Sequence, residues 1–535
     1  MPEYLAPGVY IEEIQTGPRP IEGVSTSTAG FLGRTERGPT NPTLVTSWQS
    51  YYRWFGGYVD RPPNSFPEIY LPYAARGFFD NGGQRLFVAR VVPASATNAT
   101  ADLGNGCTIE AIGPGAWGAN MIIAVRTASI VDPLNPNPVT ANWFRVLIAY
   151  YTDGIQDPFI DPTDLSKLGD PNRIEPSVFE DYDNLSPVST DQNFATSVIN
   201  ASSRLIKMLT CTARPNDVAF PDLPMTYGGP VPDEQVQLSD YLDENTNDPE
   251  LRKGLAGLST IREISLIAAP DEVVVGSLRD KVIEKCESLL DRFAVTSADA
   301  NQADISQLRP PKDSKYAAFY YPWVRVLALH TAEGHVLVPS MGHVTGVYAR
   351  VDVERGVHKA PANEVLRGII TRDLNGNKKP LEFTLGKREQ DLLNPRGVNV
   401  HRDFRDAGRD IRVYGARTMS SDSMWKYINV RRLFIFIEQS IDRGTQWAVF
   451  EPNYEQTWSA IRISISAFLR TVWRNGALMG TTQDEAFFVK CDRTTMTQDD
   501  IDNGRLICLI GIAPVKPAEF VIFRISQKTM EAEQA

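Results

Sequence analysis

Cysteine is scarce in this sequence, and its placement excludes several classes of protein. The 535 residues contain five cysteines, namely Cys107, Cys211, Cys286, Cys491 and Cys508. They are odd in number, lie far apart and include no Cys-x-x-Cys pair. We therefore expect reduced thiols packed inside the protein, with neither a disulfide framework nor a zinc site.

Histidine is equally scarce, and the common catalytic motifs are absent. The five histidines are His330, His335, His343, His358 and His401. None has a second histidine or cysteine three or four residues away, which disfavours a metal centre. The sequence also lacks GxxxxGK[ST], HExxH and GxSxG segments. We predict no catalytic, metal or cofactor-binding residue, although His343 near Ser340 leaves a folded serine-nucleophile arrangement as an open alternative.

One glycine-rich run needs separate treatment. The segment GPGAWG (113–118) matches the GxGxxG pattern of dinucleotide sites. Such a site requires a helix that begins there, so that its amides bind the phosphates. The following residues, ANMIIAVRT, are β-branched and typical of a strand. The run therefore predicts a turn between two strands.

Long apolar runs and an excess of basic charge are missing too. No stretch approaches the roughly 18 uninterrupted apolar residues of a membrane span, so we expect no membrane insertion. The start, MPEYLAPGVYIEEI, has no basic region followed by an apolar core, and we expect assembly in the bacterial cytoplasm without a signal peptide. The formal net charge of −11 disfavours nucleic-acid binding.

The chain is long enough for two to four domains. Prolines and glycines near the start exclude a helix there, and an Asp-, Asn- and Pro-rich section interrupts a regular α/β pattern. The predicted parts are an N-terminal linking arm (1–23), the first part of a middle α/β domain (24–93), an inserted outer domain (94–250), the second part of the middle domain (251–393), a C-terminal core domain (394–513) and a C-terminal strand or linking arm (514–535).

A long amphipathic helix is predicted over 454–474. Its apolar residues recur at spacings of three and four, which is typical of one buried face. They are Tyr454, Trp458, Ile461, Ile465, Phe468, Leu469, Val472 and Trp473. The outward face is predicted to carry Arg462, Arg470 and Arg474.

Several segments resemble the contractile tail sheath family of phages and phage-tail-like injection systems. They are TGVYARVDVERGVHKAPANEVLRGI (345–369), LLNPRGVNVHRDF (392–404), YGARTMSSDSMWKYINVRRLFIFIEQSI (414–441), QWAVFEPNYEQTW (446–458) and IGIAPVKPAEFVIFRI (510–525), with PGVYIEEI (7–14) and FFDNGGQRLFVARV (78–91) nearer the start. Residues 94–240 resemble nothing that we can name.

The resemblance implies an α/β and α+β multidomain fold. It implies a middle domain that is subtilisin-like in architecture without activity, an α+β C-terminal sheath domain, a β-rich inserted outer domain and extended terminal arms. The implied function is a structural, non-enzymatic subunit that polymerises helically around an inner tube and contracts. Implied partners are copies of itself or sister sheath proteins, the inner tube protein, and baseplate and terminator or cap proteins, in a virion tail or tail-like particle. A hydrolase and a non-filamentous tail or baseplate adaptor remain alternatives.

Polymerisation of this kind leads to hypotheses about particular residues. The predicted strand-exchange residues are Val9, Tyr10 and Ile11 at one end and Phe520, Val521, Ile522, Phe523 and Ile525 at the other. The predicted arm hinges are Gly17, Pro18, Pro20, Gly23, Pro514 and Pro517. Arg462, Arg470 and Arg474 are predicted to contact the inner tube. A frayed N-terminus, an internal C-terminal edge strand and merely solvated arginines are the alternatives.

Overall fold

The computed structural model describes residues 20–59, 69–131, 142–229, 236–243, 248, 251–331, 333–370 and 379–522. The chain divides into two compact units. The larger unit contains Ser25–Arg355 and Pro361–Ile428, and the smaller unit contains Met1–Val24, Gly356–Ala360 and Asn429–Ala535. Within the described residues, no helix has the length and apolar character needed to cross a membrane.

The larger unit contains eighteen of the described strands and eight of the described α-helices. Its strands are β1 (Ala29–Gly33), β2 (Thr43–Val45), β3 (Leu86–Arg90), β4 (Thr100–Gly104), β5 (Cys107–Ala111), β6 (Met121–Thr127), β7 (Phe144–Tyr150), β8 (Val178–Leu185), β9 (Ile206–Thr210), β10 (Val218–Pro224), β11 (Leu266–Ala268), β12 (Phe293–Ser297), β13 (Ala317–Tyr321), β14 (Val324–Leu327), β15 (His335–Val338), β16 (Glu364–Val365), β17 (Val398–Asp403) and β18 (Ile411–Val413). Its helices are α1 (Trp48–Phe55), α2 (Leu71–Asp80), α3 (Ala195–Ser202), α4 (Leu238–Leu242), α5 (Gly254–Thr260), α6 (Leu278–Leu289), α7 (Met341–Arg355) and α8 (Lys387–Leu393).

A nine-stranded sheet organises the larger unit, in the order β16-β18-β17-β13-β12-β11-β1-β3-β2. The six strands from β17 to β3 run parallel, and antiparallel strands close both ends. Every residue of β1, β3, β12 and β13 is buried. Burial on both faces explains why these segments are mostly apolar and do not alternate with polar residues, although β3 ends in Arg90 and β12 ends in Thr296 and Ser297.

Strands β4 to β10 interrupt this α/β pattern and form two antiparallel sheets of their own. Their orders are β10-β6-β7-β8 and β4-β5-β9, and they share an apolar core. The GPGAWG run lies between β5 and β6, and a five-residue 3₁₀ helix, Ala116–Asn120, begins within it and leads into β6. Because a strand and not a helix follows it, the predicted turn is confirmed.

The structure corrects the expectation for two of the five cysteines. Cys107 on β5 and Cys211 directly after β9 form a disulfide, although they are 104 positions apart in sequence. The two strands pair, with Thr108 opposite Thr210, and this pairing brings the sulfurs together. The prediction of five reduced thiols is therefore wrong for this pair. Cys286, Cys491 and Cys508 are free.

Buried polar contacts anchor the inserted strands to the segment after β1. The Glu36 carboxylate accepts hydrogen bonds from the Tyr150 hydroxyl at 2.6 Å and the Thr152 hydroxyl at 3.1 Å. The buried Arg90 guanidinium donates to the carbonyls of Gly38 and Pro114. Because an unmatched buried charge is costly, these contacts hold the insertion firmly in place.

Helices α2 and α7 pack closely because glycine lies at their contact. A Cβ atom added at Gly342 would lie 2.4 Å from the backbone of Ala74, and one at Gly346 would lie 2.4 Å from the Phe78 carbonyl oxygen. At Gly77, the added atom would lie 2.5 Å from the His343 ring. The GxxxG spacing of Gly342 and Gly346 on α7 therefore has a steric reason in this fold.

Two histidines lie fully inside the larger unit. His343 is 1% exposed and His401 is 0% exposed, and the His401 Nε2 atom is 2.8 Å from the Ser340 hydroxyl. The Tyr320 ring stacks on His401 with ring centroids 5.7 Å apart. Burial lowers the pKa of His343 to about 4. Burial, with a smaller contribution from His343, lowers the pKa of His401 to about 3.

The smaller unit contains the helices α9 (Ile428–Thr445), α10 (Glu455–Arg474), α11 (Gln483–Ala486) and α12 (Gln498–Asp502) and the strands β19 (Phe487–Lys490) and β20 (Leu509–Ile512), with Ile428 itself assigned to the larger unit. The long amphipathic helix predicted over 454–474 is present as α10. Six of the eight predicted apolar positions on α10 are buried. Tyr454 is exposed because it precedes the first helical turn, and Trp473 is half-buried.

The boundary between the units differs from the predicted one. The sequence places the start of the C-terminal domain at residue 394, whereas the smaller unit resumes at Asn429. The residues between them form β17 and β18, and β17 pairs with β13 in the nine-stranded sheet. This long-range pairing assigns 394–428 to the larger unit.

We predict that Gly346→Ala destabilises the larger unit by roughly 1–3 kcal/mol, because the new methyl group has to displace backbone atoms of α2. Thermal unfolding followed by circular dichroism checks this. Gly276→Ala is the matched control, since nothing lies within 4 Å of its added Cβ. Equal melting temperatures for the two variants would contradict the packing argument.

We also predict that acid destabilises the larger unit through its buried histidines. The folded-state pKa of His401 is about 3 against an ordinary value of 6.5, so its contribution is complete above pH 6.5 and is lost as the pH falls toward 3. Between about pH 7 and about pH 5, one such histidine accounts for about 2 kcal/mol. His401→Gln should flatten this dependence in urea unfolding, and parallel curves for variant and wild type would refute it.

Candidate assembly surface

A small sheet with an exposed apolar surface lies in the smaller unit. Strands β19 and β20 pair antiparallel, from Phe487 opposite Ile512 to Lys490 opposite Leu509. Among the described residues this sheet has two strands, so each strand has one edge without a strand partner. Phe488 and Leu509 are 58% and 51% exposed. Open edges beside exposed apolar side chains are a template for a further strand.

Local hydrogen bonds fix the position at which strand β19 of this sheet begins. The Glu485 carboxylate accepts hydrogen bonds from the Thr481 N–H at 2.7 Å, the Thr481 hydroxyl at 3.0 Å and the Thr482 N–H at 3.3 Å. These donors lower the pKa of Glu485. Thr482 and Glu485 form a capping box on α11, which leads directly into β19.

The chain continues in paired form for three residues after β20. The Met479 N–H donates to the Ala513 carbonyl at 2.8 Å, and the Val515 N–H donates to the Ala477 carbonyl at 3.2 Å. Pro514 lies between these bonds, opposite Leu478. The predicted hinge residue Pro514 is therefore held in a ladder, and Pro517 is the first predicted hinge position beyond it.

Three consecutive large apolar residues are exposed at the C-terminal end of the described chain. Phe520 and Val521 are each 71% exposed and Ile522 is 76% exposed, and they have no regular secondary structure. Within the described part of the chain they belong to no sheet. The other predicted strand-exchange residues, Val9, Tyr10, Ile11, Phe523 and Ile525, lie outside the described residues.

The N-terminal segment of the smaller unit runs along α9. The Val24 N–H donates to the Ser440 hydroxyl at 3.1 Å. Ile21 occupies the space that a side chain at Gly444 would need, since a Cβ there would lie 2.7 Å from Ile21. Gly23 lies against the Phe436 ring in the same way. Of the other predicted N-terminal hinge residues, Pro20 is exposed, and Gly17 and Pro18 lie outside the described residues.

The structure separates the three arginines that were grouped on α10. Arg470 and Arg474 are exposed, and the Arg470 Nε atom donates to Gln483 at 2.9 Å. Arg462 is half-buried and acts electrostatically on Cys491 and Asp492. It follows Ile461 on the buried side of the helix, so the prediction of one outward face for all three arginines is wrong for Arg462.

The serine-nucleophile arrangement around Ser340, which the sequence analysis kept as an alternative, is buried away from solvent in this fold. Ser340 hydrogen-bonds to His401 and not to His343, and both partners are 0% exposed. The His401 Nδ1 atom has no hydrogen-bond partner among the described residues, so no carboxylate orients this ring. A substrate could not reach the Ser340 hydroxyl without opening the core. Within the described ranges, no group of three or more potential metal ligands comes together.

Sequence reasoning identified the exposed tail but not the apolar face of the sheet beside it. Phe488, Leu509 and Ile510 are exposed by at least 36%. The signal is present in the runs FFVK and LIGI, where apolar residues occupy successive positions of short strands that have only one partner strand. A strand with apolar side chains on both faces needs packing partners on both faces.

Two family models match adjoining parts of the chain. The phage tail sheath protein central domain matches residues 243–419, and the phage tail sheath C-terminal domain matches residues 420–528. The tail sheath protein of Enterobacteria phage T4 is 30% identical over 278 residues, covering 51% of this chain and 38% of the phage protein. Across the curated relatives that it matches, the chain spans 26% to 45% of their length.

Solved structures are similar over almost the whole chain. The sheath complex of the PVC extracellular contractile injection system, in its contracted state, is 21% identical with a TM-score of 0.55, covering 99% of both chains. The contracted helical sheath of the anti-feeding prophage is 24% identical with a TM-score of 0.54, covering 98% of this chain and 100% of that chain. At this identity the similarity concerns the fold, which is a mixed α/β fold of the sheath type. The two adjoining family models, which together span residues 243–528, establish that the chain belongs to the phage tail sheath family.

Proposed function

We propose that the chain is a structural subunit of a contractile tail sheath. In this role it polymerises helically around an inner tube and contracts to drive the tube through a target envelope. The observation that carries the proposal is the exposed tail at Phe520–Ile522 in the same unit as the open β19–β20 sheet. A tail of one subunit added to the sheet of the next would satisfy both surfaces.

The energies favour such an exchange. Burial of three large apolar side chains contributes roughly 1.5–3 kcal/mol each as an upper bound. Main-chain hydrogen bonds add about 0.5–1.5 kcal/mol apiece. Because these terms compete with the cost of ordering the tail, a single join is only moderately strong. A lattice in which every subunit makes such joins at both ends accumulates many of them.

The geometry of exchange favours a helix over a closed ring. The donor (the terminal tail) and the acceptor (the β19–β20 sheet) are different surfaces, so the contact is heterologous, and heterologous contacts that do not close generate filaments. Contraction then requires two packings of one folded subunit, with the arms absorbing the difference. We place the C-terminal step that absorbs this difference at Lys516–Ala518, directly after Val515, whose N–H donates to the Ala477 carbonyl.

We further infer the remaining partners and the architecture of the larger unit. The partners are copies of this chain or sister sheath proteins, an inner tube protein, and baseplate and terminator proteins of a virion tail or tail-like particle assembled in the bacterial cytoplasm. The parallel sheet with the buried Ser340 at the start of α7 supports a subtilisin-like middle domain without proteolytic activity. Of the arginines on α10, the exposed Arg470 and Arg474 are the candidates for contact with an acidic inner tube.

The double variant Phe520→Ser and Ile522→Ser tests the exchange. We expect negative-stain microscopy to show loss of the tubes or stacked rings that the wild type forms. The melting temperature of the isolated subunit should not change, because both side chains are more than 70% exposed. Truncation after Pro517 should have the same effect.

Leu165→Ser is the matched control, since Leu165 is 74% exposed in the inserted domain. It should leave assembly intact. Equal assembly by the tail variant would refute the exchange through this tail. A wild type that stays as discrete particles at high concentration would instead favour a non-filamentous adaptor.

The charge-reversal variant Arg470→Glu and Arg474→Glu tests the contact with the tube. We expect weaker co-sedimentation of this variant with the tube protein of the same particle. The remaining co-sedimentation should depend less on salt concentration than that of the wild type, because the electrostatic attraction has been removed. The control is the double variant Lys387→Glu and Arg388→Glu on α8. It changes the net charge by the same amount at two exposed positions. If both double variants retain the tube equally well, the arginines are only solvated.

A further inference from the structure

Two of the free cysteines face each other at the end of the β19–β20 sheet. The last strand pair is Lys490 with Leu509, so Cys491 and Cys508 are the next residues on the two strands. The Ala513 N–H donates to the Ala486 carbonyl, which makes Phe487–Ile512 a non-hydrogen-bonded pair. Two and four residues along, the same alternation gives 489–510 and 491–508. Such pairs have Cα atoms about 4.5 Å apart, within the range that a disulfide spans.

The surroundings bring the two sulfurs into direct interaction. Cys491 is 1% exposed and packs with Trp458 and Met496, and Cys508 packs against the same cluster from a half-buried position. The two thiol groups lie close enough to affect each other's ionisation. Cys508 and the nearby Arg462 lower the pKa of Cys491, while Cys491 and burial raise the pKa of Cys508.

The chain between the two cysteines is already folded into a compact loop. The Thr495 hydroxyl donates to the Ile507 carbonyl at 2.8 Å, and the Arg505 guanidinium donates to the Asp500 carboxylate at 2.8 Å. The Asn453 side chain donates to the Arg505 carbonyl at 3.2 Å. A bond between the sulfurs would therefore close this loop without unfolding it.

We propose that Cys491 and Cys508 form a redox modification site that a small-molecule disulfide, such as oxidised glutathione, converts to an intramolecular disulfide. Cys508 is the more accessible sulfur. Cys491 first loses its thiol proton to solvent and then takes up the proton of Cys508. The resulting Cys508 thiolate attacks one sulfur of glutathione disulfide, forming a mixed disulfide and releasing one glutathione thiolate. Cys491 then loses its proton to solvent and attacks the Cys508 sulfur, releasing the second thiolate. The protein sulfurs lose two electrons, and the two glutathione thiolates take up the two protons.

The product would fix the sheet where its hydrogen-bonded ladder ends. It would tie the entry of the 492–507 loop to its exit, directly beside the edge proposed to accept a neighbouring strand. In a reducing cytoplasm the pair would stay as thiols, and outside the cell it would close. The proposal does not depend on the sheath function, because the reaction takes place within one chain.

Peptide mapping of the full-length protein tests the site. The folded protein is incubated with oxidised glutathione, quenched with acid, denatured, alkylated with iodoacetamide and digested. We expect a peptide pair that links Cys491 to Cys508 and a loss of alkylation at both. Cys286 is the internal control: it is buried and lies alone, burial raises its pKa to about 12, and it should remain fully alkylated. Retention of alkylation at Cys491 and Cys508 overturns the proposal.

The variant Cys491→Ser separates the two steps. It should accumulate a persistent glutathione adduct on Cys508, whereas the wild type should show none after closure. Oxidation should also raise the melting temperature of the wild-type smaller unit by several degrees and leave Cys508→Ser unchanged. A wild type that stops at the adduct refutes the closure. The wild-type peptide map decides the matter even where a variant does not fold.

Discussion

The proposed roles of this chain depend on backbone hydrogen-bonding groups that the β19–β20 sheet leaves open. An isolated two-stranded ribbon is marginally stable in water. Here the ribbon is held by the capping box before β19, by the ladder between 477–479 and 513–515, and by its packing against α10. The unit therefore supports a small sheet that is ordered before any partner arrives. A preformed acceptor reduces the ordering cost of strand addition to that of the incoming tail alone.

The larger unit, by contrast, is rigid, because its close packing leaves its helices and sheets little freedom to move. Helices α2 and α7 approach until the backbone of one occupies the space of a missing side chain on the other. The inserted sheets are tied by the Glu36 carboxylate, which accepts two hydroxyl hydrogen bonds, and by the Arg90 guanidinium, which donates to two carbonyls. Close packing and matched buried charges resist gradual deformation. For a lattice that changes its packing, such a unit can move only as a body, and the change must fall on the segments that link subunits.

The sequence predicted the features that depend on local pattern. The apolar stripe of α10 and the turn at GPGAWG both rest on residues within a few positions of each other, and the structure contains them. The features it missed depend on distant pairing. Cys107 and Cys211 meet only because β5 and β9 are neighbours, and 394–428 joins the larger unit only because β17 pairs with β13.

The error at Arg462 has a different origin, because it was local and avoidable. Arg470 and Arg474 follow the exposed positions of α10, while Arg462 is displaced from them by about a third of a turn, since each residue advances the helix by about 100°. Counting the phase from Ile461 and Ile465 would have placed it near the buried side. Its position beside Cys491 gives this arginine a local electrostatic role that composition alone could not indicate.

The spacing of prolines explains why Phe520–Ile522, at the end of the described residues, adds no strand to its own sheet. Pro514 and Pro517 have no N–H to donate, so the segment between them cannot supply a regular ladder along that edge. The Val515 N–H donates to the Ala477 carbonyl, and only four residues separate Val515 from Phe520. A return onto β20 within that length would need a tight turn, for which the residues Lys516-Pro517-Ala518-Glu519 provide neither glycine nor asparagine. The chain chemistry thus directs the apolar tail away from its own sheet and leaves it available to another.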